Sequence, residues 1–148
     1  KALRGDKLSK DKAVMNLRAY KASLREALSV IRQKKEKDDL YLSDKLMIVD
    51  FEDTIASSIV GVIASMTVRN KVVEKDVIVC TMSISDGDMV KISLRTGIDD
   101  PEPRLDDLLN SIVSKWDVEA GGHPNAAGAI ISKEHTDEFI EELKTTIE

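Results

Sequence analysis

The stretch Asp76–Thr96, DVIVCTMSISDGDMVKISLRT, places two strand-length runs on either side of an Asp-Gly pair. Asp76 to Ser85 and Asp88 to Thr96 are both rich in residues that favour extended backbone. Asp86 and Gly87 tolerate the positive φ that tight hairpin turns demand, so the stretch predicts a β-hairpin. Asp86 and Asp88 flank that glycine, and we read them as turn residues rather than as a metal-binding pair.

Working outward, Leu46 to Phe51 is a short apolar strand candidate that ends at Glu52 and Asp53. Asp53 or Thr54 can then cap a helix with Ile55, Ile59, Val62, Ile63 and Met66 on one face. Downstream of the hairpin, Gly97 to Pro103 is a polar loop containing two prolines. Leu105 to Trp116 has helical spacing, Gly121-Gly122 breaks the chain, and Ala129 to Ser132 reads as a further strand. A last helix near Glu134 to Ile147 lines up Phe139, Ile140, Leu143 and Ile147. His135, in its first turn, reads as a surface residue, and Trp116 as a core or boundary residue rather than a base-stacking platform. At the other end, Asp11 to Lys35 forms one amphipathic helix, its stripe made by Val14, Leu17, Leu24, Leu28 and Ile31 with Tyr20 flanking. The expected fold is therefore α/β: a mixed β-sheet domain with flanking helices, preceded by a long amphipathic helix. Residues 1–40 form a basic helical linker or inter-domain helix, and residues 41–148 the folded domain.

Composition narrows what such a domain can be. Only 3% of the 148 residues are aromatic, so the core must be built from Val, Ile, Leu, Met and Ala. The longest uncharged apolar-rich run, Thr54 to Val68, is too short and too rich in Ser and Thr to span a bilayer, so no membrane partner is expected. The chain opens with no basic-then-apolar pattern of a signal peptide. Lone Cys80 excludes a disulfide within the chain and a multi-cysteine zinc site, and its apolar setting marks a structural thiol in a reducing, cytoplasmic compartment. The net charge of −5 hides a split. Residues 1–40 carry 12 Lys/Arg against 6 Asp/Glu, a balance of +6, whereas residues 41–148 carry 10 against 21, a balance of −11.

One segment is more particular than the rest: Val118–Ile131, VEAGGHPNAAGAII. Gly121 and Gly122 permit unusual backbone angles and close approach to the main chain. Pro124 restricts His123 to extended geometry, and Asn125 supplies an amide. Ala126, Ala127 and Gly128 leave almost no side-chain volume. Such a loop can turn backbone N–H groups and one imidazole toward an anion. A tight turn with a partly exposed histidine has the same pattern.

The run GGHPNAAGA resembles the glycine-glycine-histidine motif of the DHH-associated domain, type 1, the C-terminal domain of DHH-superfamily, RecJ-like phosphoesterases. The resemblance extends to Ile59–Met66, which is similar to the helix opening such domains, and to Lys91-Ile92-Ser93-Leu94-Arg95, similar to the family's strand ahead of the glycine motif. It covers roughly Leu46 to Ile147 and is less close to the alanyl-tRNA synthetase branch, because of His-Pro-Asn-Ala-Ala. It implies that Gly121, Gly122 and His123 line a cleft and contact substrate phosphate, with Arg95 as a charge-assisted partner. Lys91 and Ser93 share a strand face with Arg95, and Asn125 completes the substrate-binding set. It also implies a manganese (or magnesium) pair in an N-terminal DHH domain, which would activate water against a phosphodiester. No Asp-His-His occurs in the 148 residues, so the resemblance implies no catalytic residue and no metal ligand in this chain. The chain opens on Lys rather than Met, and we expect it to be the C-terminal portion of a longer exonuclease-like hydrolase. The expected partners are its own DHH domain and single-stranded DNA or RNA. Two other functions stay open: a parent acting on short oligonucleotides or a dinucleotide messenger, and an interaction module that binds nucleic acid or protein through the basic helix.

Overall fold

The computed structural model describes residues 18, 21–22, 24–37 and 40–148. Val14, Leu17 and Tyr20 of the expected first helix lie outside the described residues. Residues 24–36 are helical (α1) and lead to strand β1 (Tyr41–Leu42) and strand β2 (Leu46–Asp50). Helix α2 (Val60–Arg69) connects β2 to strand β3 (Ile78–Ile84), which turns into strand β4 (Met89–Arg95). Helix α3 (Leu105–Val113) and a 3-10 turn at Ser114–Trp116 precede strands β5 (Gly121–His123) and β6 (Ala126–Ser132). Helix α4 (Thr136–Ile147) ends the chain.

The strands form one sheet in the order β1-β2-β3-β4-β6-β5. Strands β2 and β3 run parallel across the α2 crossover, and the other neighbouring pairs are antiparallel. The Asp-Gly hairpin forms as expected. Gly87 sits at φ 57°, and the Ser85 amide donates to the Met89 carbonyl at 2.8 Å to close the loop.

Alternation along the strands sends successive side chains to opposite faces, so each strand feeds two cores. Leu46, Ile48, Cys80, Met82, Ile92 and Leu94 pack with α3 and α4, where Phe139 and Leu143 are fully buried. Met47, Val49 and Val79 pack on the other face with Val60, Ile63 and Ala64 of α2. Helix α1 seals the same side through Leu24, Ala27 and Ile31. Its apolar stripe is thus part of the fold's second core, while Arg25, Glu26 and Arg32 are exposed.

Three sequence expectations need correction. The second helix begins at Val60, not at Asp53 or Thr54. The Thr54 hydroxyl donates to the Phe51 carbonyl instead, and Ser83 holds the Ile55 carbonyl, which keeps the segment as turns crossing the sheet end. As a result Val62 lies on the outer face, 37% exposed, and Thr67 takes an inner position. Gly121–His123 is an edge strand rather than a break, because its ladder partners on β6 satisfy its backbone. His135 is half-buried rather than freely on the surface: its ring stacks on Trp116 with centroids 4.5 Å apart.

Two measurements check this packing. Ile31→Ala should cost about 2–5 kcal/mol in denaturant unfolding, because the side chain is fully buried in the second core; an unchanged midpoint would mean that α1 is not docked. Cys80 is fully buried, and that burial, with a smaller contribution from Asp50, pushes its thiol pKa far up. It should resist a thiol reagent until the chain unfolds.

Candidate phosphate-binding site

The strand register gathers most of the sequence-derived residues on one face. Arg95 pairs with Ala126, and Ala126 pairs with His123. Ser93 pairs with Gly128, and Gly128 with Gly121; Lys91 pairs with Ile130. Paired residues share a face, so Lys91, Ser93, Arg95, Gly121 and His123 all lie on the α2 side of the sheet. Arg95 and His123 are two strands apart, about 10 Å between Cα atoms. Gly122 pairs with Ala127 and belongs to the other face.

Helix α2 covers only part of this face. A Cβ built on Gly61 would lie 2.8 Å from Arg95 Nη2 and 3.2 Å from Ser93 Oγ, so the glycine lets the helix sit directly on β4. Ser93 is accordingly buried under the helix, at 2% exposure, and does not face solvent. Beyond α2 the sheet is open. Its floor is Ala126, Gly128 and Gly121, and its rims are Arg95 and Lys91 on one side and His123 on the other. Gly121, Gly122 and His123 are exposed, as is Ile130 at 45%.

Arg95 is the unusual charge in this trough. Its Nε donates to Ser65 Oγ at 3.0 Å, and its Nη1 donates to the carbonyls of Leu94 (2.8 Å) and Ala127 (3.1 Å). These acceptors are neutral, and among the described residues no carboxylate pairs with it. Burial lowers the guanidinium's pKa, which is the desolvation cost of a cation without a counter-charge. Its Nη2 makes no hydrogen bond among the described residues and lies against the bare Cα of Gly61 on α2.

The turn that carries Asn125 is pinned at both ends of the site. The Thr96 amide donates to the Asn125 carbonyl at 3.2 Å, and the Leu105 amide at the start of α3 donates to the Pro124 carbonyl at 2.7 Å. Pro124 presets the first central position of this two-residue hairpin turn. The sequence reading missed Gly61 and Ser65, which set the pose of Arg95. The signal available was a lone glycine inside an apolar helical pattern, which marks close packing.

The two adjacent glycines have different reasons to be glycine. Gly122 sits at φ 134°, and a Cβ there would lie 2.2 Å from the Ala126 carbonyl oxygen. A Cβ on Gly121 would meet no heavy atom within 4 Å, and its φ is not positive, so the folded chain alone does not require glycine there. No group of three or more His, Cys, Asp or Glu side chains that could hold a metal ion occurs among the described residues.

A family model described as the DHHA1 domain matches residues 43–148, and the chain belongs to that family. Its fold is similar to the C-Ala domain of Aquifex aeolicus alanyl-tRNA synthetase, at 15% identity and TM-score 0.59, covering 72% of this chain and 95% of that one. It is similar to PggH, a pGpG-specific phosphodiesterase from Vibrio cholerae, at 16% identity and TM-score 0.51, over 85% of this chain and 40% of that protein. It is also similar to RecJ from Thermus thermophilus in complex with Mg2+, at 12% identity and TM-score 0.52, over 85% of this chain and 18% of RecJ. The chain thus spans less than half of either phosphoesterase. Among curated proteins, none matches it in sequence. The sequence set the synthetase branch apart by its glycine segment, yet the fold is shared with that branch. No described helix is long and apolar enough to cross a membrane.

The glycine contrast is directly testable. Gly122→Ala should cost about 3 kcal/mol, roughly 6–12 °C in Tm. Gly121→Ala should leave Tm unchanged or slightly raised. Equal Tm losses in the two variants would show that both glycines serve the backbone alone.

Proposed function

We propose that this chain is the substrate-binding domain of a RecJ-like phosphoesterase and that the Arg95–His123 trough holds phosphate of single-stranded DNA or RNA. The observation that carries the reading is Arg95: a half-buried cation, without a carboxylate partner among the described residues, on the same sheet face as Gly128, Gly121 and Ala126. A phosphate there supplies the counter-charge that the fold withholds, and a charge-assisted bond of this kind contributes about 1.5–3 kcal/mol. His123 reaches the same anion from the opposite rim, and the bare position of Gly121 admits the sugar-phosphate chain. Lys91 and Asn125 border the trough, whereas Ser93 supports it from beneath α2.

In this reading residues 1–40, whose helix α1 packs into the domain's second core, lead from a cytoplasmic partner domain of the DHH type, which carries manganese or magnesium and performs the hydrolysis. The balance of −11 over residues 41–148 makes diffuse adhesion to nucleic acid unfavourable, so recognition is local. The likeness to PggH favours a second reading, a substrate of only a few nucleotides, in which the same trough binds a terminal phosphate.

Anisotropy of a labelled single-stranded oligonucleotide checks the assignment. Arg95→Ala should weaken binding about 10-fold or more, and His123→Ala by a smaller factor. In a protein joining this chain to a DHH metal domain, both changes should lower kcat/KM with manganese. Wild-type binding and turnover in both variants would remove the trough from substrate recognition. Oligonucleotides of graded length separate the two substrate readings.

A further inference from the structure

The larger concavities of the described chain lie beside the trough, around the C-terminal end of α2. Three adjoin one another, with volumes of about 540, 470 and 550 Å³. Gly97, two residues beyond Arg95, lines the first together with Arg69, Lys71 and Lys75. The Gly97 amide donates to the Lys75 carbonyl at 3.1 Å, and a Cβ on Gly97 would lie 3.0 Å from Lys75 Cγ, so the lysine stem rests on that glycine. Lys35 joins Lys71 in the second concavity, and Arg32 joins both in the third. Lys71 lines all three.

These five cations are exposed, and none forms an ion pair among the described residues. The carboxylates on the same surface are Glu36, Asp44 and Glu74. Five cations against three carboxylates leave an excess of two positive charges, in contrast to the acidic remainder.

Lys71 has a second peculiarity. It stands just after the C-cap Asn70, with φ 56°, in the left-handed region. Its amide donates to the Val68 carbonyl and the Val72 amide to the Thr67 carbonyl, both at 3.2 Å, the two bonds of a Schellman helix stop. Glycine is the favoured residue at this position, and a side chain with a Cβ is strained there. The helix stop accounts for the backbone conformation but not for a lysine. A cation in the centre of a basic concavity does account for it.

We propose that Arg32, Arg69, Lys71 and Lys75 form a phosphate track that carries a single-stranded nucleic acid onward from the Arg95–His123 trough, with Lys71 at its centre. The proposal rests on the phosphate-holding reading of that trough and adds to it a path and a length requirement. No aromatic ring lines the track's concavities for a base to stack on, so the track reads backbone charge and not base identity.

The test measures anisotropy of the 148-residue chain with oligothymidylates of about 4 and about 20 nucleotides. Lys71→Gly should raise Tm by about 2–4 °C while weakening the long oligomer about 3-fold and leaving the short one unchanged. Adding Arg32→Gln, Arg69→Gln and Lys75→Gln should abolish the advantage of the long oligomer and flatten its salt dependence by about 0.7 in slope for each phosphate no longer neutralised. Lys71→Arg should retain long-oligomer binding. If the track variants bind the long oligomer like wild type while Arg95→Ala weakens both, the track is wrong and the trough stands. If Arg95→Ala changes neither oligomer while the track variants lose the long one, the track stands and the trough reading fails. A Lys71→Gly chain that loses stability would show that the lysine serves the fold, and would overturn its place in the track.

Discussion

Strand β4 is the element on which both core and site depend, because it is hydrogen-bonded on two sides and alternates strictly between two environments. Val90, Ile92 and Leu94 enter the core beneath α3 and α4. Lys91, Ser93 and Arg95 point to the face that α2 covers in part. A slip of one residue in its pairing with β3 or β6 would drive Arg95 into the apolar core and expose Leu94, at the cost of burying an unpaired charge. The apolar half of β4 therefore locks the register, and the register holds the polar half in place. The site inherits its geometry from the packing of residues that never touch a ligand.

Helix α2 exploits that arrangement through small residues. Gly61 and Ser65 let the helix lie close on β4, and the guanidinium of Arg95 is wedged against them. Its remaining polar contacts are carbonyls, which orient the group but do not neutralise it. The charge is held half-desolvated and without a counter-ion among the described residues, and the proposed phosphate contact rests on that. The rotamer entropy of the long side chain is already lost in the folded chain. The same helix ends in a strained lysine at the head of a basic concavity, so one element borders both the trough and the proposed track.

Much of the architecture could be read from residue order. The Asp86-Gly87 hairpin, the strand at Leu46, the prolines after Gly97 and the apolar spacing of the last helix carry strong local chemistry, and they form as read. Membership of the DHHA1 family was also legible, in GGHPNAAGA and KISLR. The misreadings share a cause. Gly121–His123 has poor intrinsic preference for a strand, and only pairing with β6 makes it one. Asp53 and Thr54 look like helix caps, yet bonds from Thr54 and Ser83 hold the segment as turns until Val60. His135 has the polarity of a surface residue and is drawn inward by the Trp116 ring.

By itself the sequence determined most of the extended and helical segments, the hairpin turn, and which residue types could meet a phosphate, because propensity, alternation and turn chemistry are local. Tertiary structure decided which of those residues meet. It put Arg95 and His123 on one face across Ala126, turned Gly122 to the other, and buried Ser93 beneath Gly61. It also separated the need for glycine at position 122, imposed by its own backbone, from the open space at Gly121. Strand register and helix docking relate residues distant in the chain. They are selected by the summed burial of two cores, which no local stretch of sequence contains.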